Sequence, residues 1–153
     1  MRAMQVLGAV VWLFLAGVAS SQANPAFAPI EIRLVVQKPA HGTAIAVLGG
    51  ERTVEVESQT LLGPSDFVAV GDVEWVEGKP GFNVRLTPQG MKKCEQVTTD
   101  NIGRTLAIIV DGKIVMTPKI LDPVRSEGFL LTVNTESEAR ELAAKVRDVV
   151  APK

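Results

Sequence analysis

The chain has 153 residues, 46% hydrophobic and 22% charged, a balance that supplies one domain with a real core and excludes a disordered or fibrous chain. A formal net charge of −1 excludes steering to nucleic acid by a basic surface. The single cysteine, Cys94, excludes an internal disulfide, so packing has to hold the fold together.

Residues 1–23 stand apart from that core. Arg2 gives a short positive start, Val6 to Val18 form an apolar run broken by Gly8 and Gly17, and Ser21-Gln22-Ala23 places small residues where a signal peptidase cuts. The run is shorter than the roughly 20 residues a helix needs to cross a bilayer, so the segment is expected to be a cleaved signal peptide. A chain without it carries 15 Lys and Arg against 17 Asp and Glu. No cysteine follows the run to carry a lipid, so the expected location is the periplasm, with no membrane insertion after cleavage. Residues 24–30, with two prolines and no apolar period, are expected to be a flexible lead-in to a single domain over 31–153.

From Glu31 the pattern is β. Residues 31–37 alternate Ile32, Leu34 and Val36, and 43–49 and 52–58 repeat the two-residue period around a Gly49-Gly50 turn. After a break at Leu62-Gly63-Pro64-Ser65, residues 66–77 suit an extended strand bulged at Gly71-Asp72. Gly78 to Gly81 turn the chain back into 82–87, making a hairpin. Thr87-Pro88 then starts a helix, because the Thr hydroxyl can accept from an orphan amide and Pro at the first helical position gives up no needed donor. Met91, Cys94, Val97 and Thr98 fall on one face of that helix, which stops near Asn101 to Gly103. Strands at 105–110 and 113–117 flank Asp111-Gly112, a pair that tolerates the positive φ angles of a tight hairpin turn. Pro118 and Pro123 bound a loop, and 129–133 is a last strand. Thr135 and Glu138 have the spacing of a capping box. Behind them Ala139, Leu142, Ala143, Val146 and Val150 make one apolar stripe on a closing helix whose polar face mixes both charges. The order of elements is that of an α+β fold, a mainly antiparallel sheet with two helices packed on one face.

Several of these features occur together in one known family. The stretch from Gly81 to Asp148 resembles the head subdomain of the first periplasmic domain of SecD, a subunit of the SecDF export machinery. The resemblance rests on Leu86-Thr87 with Gly90 opening a helix, Thr98 to Gly103, Leu106-Ala107-Ile108, Asp111-Gly112, Pro118, Gly128, and Glu138-Ala139 with Leu142-Ala143. Residues 61–72 look like the approach to that subdomain, with Asp66 where the family tends to carry Asp; the head-like part thus covers about 64–150. Thr132 and Asn134 stand where the family favours Gly and an aromatic residue. The resemblance implies an α+β head outside the membrane that contacts polypeptide leaving the translocation channel. No segment after residue 23 has 18 consecutive apolar residues, so the family's membrane-spanning, proton-coupled bundle is not in this sequence, and a stand-alone secreted head is expected.

Little points to catalysis. His41, the only histidine, lies in Pro39-Ala40-His41-Gly42, which reads first as a solvated turn; a small hydrolase using His41 or Cys94 is the enzymatic alternative. One His and one Cys are too few for a closed zinc site, and Gly49-Gly50 precedes a strand where a phosphate cradle would precede a helix. No metal and no cofactor is expected. Binding is easier to argue, since an exposed sheet edge can add an extended peptide through backbone hydrogen bonds. Trp75 and Phe82, on the two arms of the 66–87 hairpin, are the candidate apolar contacts, although core burial is the commoner fate of such side chains. The expected function is a non-catalytic module that binds extended polypeptide or docks on an envelope or export partner. An inhibitor or immunity-type partner protein is the further alternative.

Overall fold

A computed structural model of the chain describes residues 28–38 and 42–150. The expected signal peptide and His41 lie outside the described residues. Nine strands and two helices form in the order β1 (Ile30–Val35), β2 (Thr43–Ala46), β3 (Thr53–Leu62), a single 3-10 turn (Pro64–Asp66), β4 (Phe67–Val70), β5 (Glu74–Val76), β6 (Lys79–Leu86), α1 (Pro88–Asp100), β7 (Leu106–Val110), β8 (Lys113–Met116), β9 (Gly128–Thr132) and α2 (Glu136–Val150). All strand pairs are antiparallel, so the fold class is the α+β one expected. The strands divide, however, into two sheets.

The first sheet has the order β2-β3-β1-β7-β8. Its two edges meet: Val47, just past β2, bridges to Ile114 of β8 in parallel, and the Leu48 amide donates to the Ile114 carbonyl at 2.9 Å. Register shifts between β1 and β3 at Ile32/Arg33 and Arg33/Val35 supply the extra twist that such a curl requires. Inside the curl pack Ile45, Val56, Ala107, Ile109 and Ile114. Its outer face offers Ile30, Ile32, Leu34, Leu106, Ile108 and Val110 to the main core. Strand β7 is therefore buried on both faces, which is why LAIIV shows no alternation.

One polar pair enters the inner side of this sheet. Glu31, 3% exposed, faces Ile109 in register. It accepts from Arg33 Nη2 at 3.1 Å and from the Thr60 hydroxyl at 3.2 Å. Arg33 Nε also lies 3.1 Å from Glu31 Oε1, an ionic approach without hydrogen-bond alignment. A carboxylate so far from water is tolerable only because a guanidinium accompanies it.

The second sheet is built on β6. Strand β9 pairs with it from Gly81↔Thr132 to Arg85↔Gly128. Strands β4 and β5 pair with its two ends, Phe67↔Leu86 through Val70↔Val84 and Glu74↔Gly81 through Val76↔Lys79. They continue one another across Gly71-Asp72-Val73, where the Gly71 amide donates to Asn83 at 2.8 Å. The expected single bulged strand is thus one path interrupted at the expected residues. Pro80, Phe82, Val84 and Leu86 turn inward from β6, and the last three join Leu131, Cys94 of α1 and the Ala139, Leu142, Ala143, Val146, Val150 stripe of α2 in the main core.

Both helix starts obey their sequence signals. The Gly90 amide donates to the Thr87 hydroxyl at 2.9 Å. The Thr135 amide donates to Glu138, and the Glu138 amide to the Thr135 hydroxyl, each at 3.2 Å. The start of α1 is also locked to the 3-10 turn: Asp66 accepts from the Gly63 amide and from Lys93 Nζ, both at 2.9 Å, and its carbonyl accepts from the Thr87 amide at 2.9 Å. Buried Thr98 donates back to the Cys94 carbonyl at 2.7 Å and accepts from the Val124 amide at 2.9 Å, tying the Pro118–Pro123 loop region to the helix. Strand β1 begins at Ile30, 1% exposed, inside the expected lead-in. No helix among the described residues is long and apolar enough to cross a membrane.

Candidate functional site

The most exposed aromatic side chain among the described residues belongs to Trp75, at 64% exposure, and the hairpin that carries it determines what surrounds it. Glu77 and Gly78 make its turn, with φ of 51° and 79°, the left-handed geometry that suits a two-residue connection. In such a hairpin the flanking residues, here Val76 and Lys79, exchange both backbone hydrogen bonds. The next pair, Trp75 and Pro80, then points its amide and carbonyl groups away from the shared ladder. On the β6 side this works for a proline: Pro80 has no amide to strand, and its carbonyl accepts from the Val133 amide at 2.9 Å. On the β5 side no described strand lies beyond, so the amide and carbonyl of Trp75 face an open edge.

The side chains follow from the same register. Residues directly opposite one another share a face, so the Trp75 indole stands on the side of buried Pro80. Glu74 takes the other side and is exposed. Glu77 and Asp72 are exposed or nearly so, with the Asp72 carboxylate fully in solvent and 4.0 Å from Arg147. At the break between β4 and β5 lies a depression of about 260 Å³ lined by Asp72, Val73, Arg140, Ala143 and Arg147. Arg147 donates to the Gly71 carbonyl at 3.1 Å, fixing the break against α2. Arg140 is engaged with Glu136 one turn back, its Nε 2.9 Å from the carboxylate. The depression is a small, charge-rimmed seam with no converging acid and base.

The structure separates the two aromatic candidates. Trp75 is on the surface, whereas Phe82 is 1% exposed opposite Leu131. The alternation that places Pro80, Val84 and Leu86 inward carries Phe82 with them, and its ring is a core contact. Cys94 is also 1% exposed, and burial pushes its thiol up to about 11, so it is protonated at neutral pH and shielded from a substrate. Among the described residues no three His, Cys, Asp or Glu side chains cluster as metal ligands would. A second depression, between Leu48, Asp111, Glu138, Glu141 and Lys145, is closed by its own ion pairs: Lys145 bonds both Asp111 and Glu141, which hold its ammonium above the ordinary lysine range. Sequence reasoning reached Trp75 but not Arg147, whose bond to a backbone carbonyl distant in sequence leaves no local signal.

Comparison with known proteins bears on the same region. The family model of the SecDF P1 head subdomain matches residues 43–149. The chain belongs to that family. Protein translocase subunit SecD of Thermobaculum terrenum is 31% identical over 111 residues, 72% of this chain and 22% of that protein. Protein translocase subunit SecDF of Thermus thermophilus is 34% identical over 76 residues, 49% of this chain and 10% of that one. The chain therefore spans about a fifth or less of the length of these two relatives. Among solved structures, SecDF described as a membrane component that enhances protein export superposes with a TM-score of 0.62 at 24% identity, over 77% of this chain and 61% of the other. SecDF in a super-membrane-facing form gives 0.61 at 24% identity, over 77% and 18%. These superpositions show the fold, with sheets and helices in the arrangement described above.

Proposed function

We propose that this SecDF-head protein is a non-catalytic, periplasmic module of protein export that engages extended polypeptide along the open edge of β5. The observation that carries the reading is the pair of outward backbone groups at Trp75, unpaired by any described strand and flanked by an indole that is 64% exposed. An extended client adds to such an edge through its own main chain, which makes few demands on client sequence, and the indole supplies apolar contact at low entropic cost. The family relatives, translocase subunits by name, support a role in export, and the apolar run at residues 6–18 supports delivery to the periplasm. A hydrolytic reading has no support from Cys94, given its burial.

Titration of the purified chain with an unfolded, export-competent polypeptide tests the proposal. Saturable binding that Trp75→Ala abolishes is the expected result. Absence of binding into the high micromolar range, with no partner captured by crosslinking in cells, would remove it. A stoichiometric complex with one folded protein would transfer the role to an inhibitor or immunity-type partner.

A further inference from the structure

We infer that the open edge of β5, with Glu74 on one side and Trp75 on the other, selects extended segments that alternate basic and apolar side chains. The inference rests on the edge-binding reading above and names the class of client it takes. Strand periodicity carries it. A segment added to β5 places successive side chains alternately on the two faces of the sheet. On one face its residues meet Glu74, which is exposed. On the other face they meet the exposed Trp75 indole, on the side of Pro80 opposite it in register. Glu77 adds a second exposed carboxylate at the turn, beside Lys79, the one cation of the hairpin residues 74–81. Lys or Arg is therefore the complementary side chain on the Glu74 face, while an apolar residue, or the stem of an arginine lying over the indole, suits the other face.

The same charges argue against a second copy of this chain as the occupant. Two β5 edges paired with one another would bring Glu74 and Glu77 of both copies together, and like charges across a strand pair are unfavourable. Arg147 lies 4.0 Å from Asp72 and balances it at the break, and Arg140 is paired with Glu136, which leaves Glu74 and Glu77 as the acidic groups of the hairpin.

The test uses the full chain carrying Trp12→Phe, so that Trp75 is its sole indole, and follows its fluorescence during titration with three short Val/Thr peptides. These carry Lys, Gln or Glu at alternate positions and are otherwise identical. The Lys peptide is expected to bind about tenfold more tightly than the Glu peptide, with Gln between. The difference should shrink as salt is raised and invert in Glu74→Lys; Glu74→Gln, which should erase the difference, serves if that variant does not fold. Equal affinity of the Lys and Glu peptides overturns the selectivity and leaves edge binding intact. If no peptide binds, or if a Lys peptide N-methylated along its backbone binds as well as its parent, the edge-binding reading itself falls. A dimer of the chain alone, dissociated by Glu74→Lys, would show the edge to be a self-interface and overturn the inference.

Discussion

Replacing Gly90 by Ala places a methyl group at the tightest junction between α1 and the 3-10 turn. A Cβ built there overlaps the Asp66 carbonyl oxygen, and it stands 3.1 Å from both the Asp66 carbonyl carbon and the Thr87 hydroxyl oxygen. The obstacle is backbone, so no side-chain rotation removes it. To admit the methyl, the first turn of α1 has to withdraw from residues 63–66, costing about 1–3 kcal/mol as an overpacked site. The shift strains the bond from the Gly90 amide to Thr87, a cap worth about 1 kcal/mol, and the bond from the Thr87 amide to the Asp66 carbonyl. Against this, Ala favours a helix over Gly by about 1 kcal/mol. The net expectation is a loss of about 2 kcal/mol. Urea unfolding followed by circular dichroism would read it as a lower midpoint with an unchanged slope. A Gly90→Ala protein as stable as the parent, or more so, would show that propensity outweighs the clash and that the junction is looser than its geometry implies.

Truncating Trp75 to Ala should cost less than about 0.5 kcal/mol, since most of the ring is already in solvent, yet should abolish polypeptide binding; a large loss of stability would mean the indole is structural. Removing one partner of the buried pair, by Glu31→Ala or Arg33→Ala, should cost about 3 kcal/mol in urea unfolding. The double change Glu31→Leu with Arg33→Met should recover most of that, and a double variant as unstable as the sum of the single ones would contradict the reading. For Cys94, burial raises the folded-state value from 9.0 to about 11, so the folded protein retains a proton that the unfolded chain gives up. Its contribution is complete below pH 9 and is lost as pH rises through 11, amounting to about 3 kcal/mol. Cys94→Ala should lack this alkaline decline, and identical pH profiles for the two proteins would refute the assignment.

The candidate site was half legible. Trp75 could be placed on a hairpin arm from the alternation of 66–77 and the returning 82–87 segment, and the bulge at Gly71-Asp72 falls where β4 gives way to β5. Phe82 reads the same way in sequence as Trp75, an aromatic residue on a strand. What distinguishes them is the neighbour in the sheet: β9 pairs with β6 and places Leu131 opposite Phe82, while no described strand lies on the outer edge of β5. The turn lies at Glu77-Gly78 rather than across Gly78 to Gly81, because Pro80, lacking an amide, fits the non-hydrogen-bonded position opposite Trp75.

Sequence alone determined the features whose partners lie within a few residues. The Asp111-Gly112 turn has φ of 50° and 73°, the Thr87 cap and the Thr135–Glu138 box form as their spacing dictates, and the stripe of α2 is buried as a unit. Tertiary structure decided which strands share a sheet. It placed β1 between β3 and β7, with Ile30 opposite Val110, curled that sheet until β2 met β8, and brought partly buried Arg33 against buried Glu31 on its inner side. A turn or cap is satisfied by atoms that its own short segment supplies, so the residues on hand specify it. A strand's partner is set by which arrangement covers both of its faces and pairs its backbone, and those surfaces come from segments far along the chain. The open edge at Trp75 is of the second kind, left exposed because no described strand lies beside it.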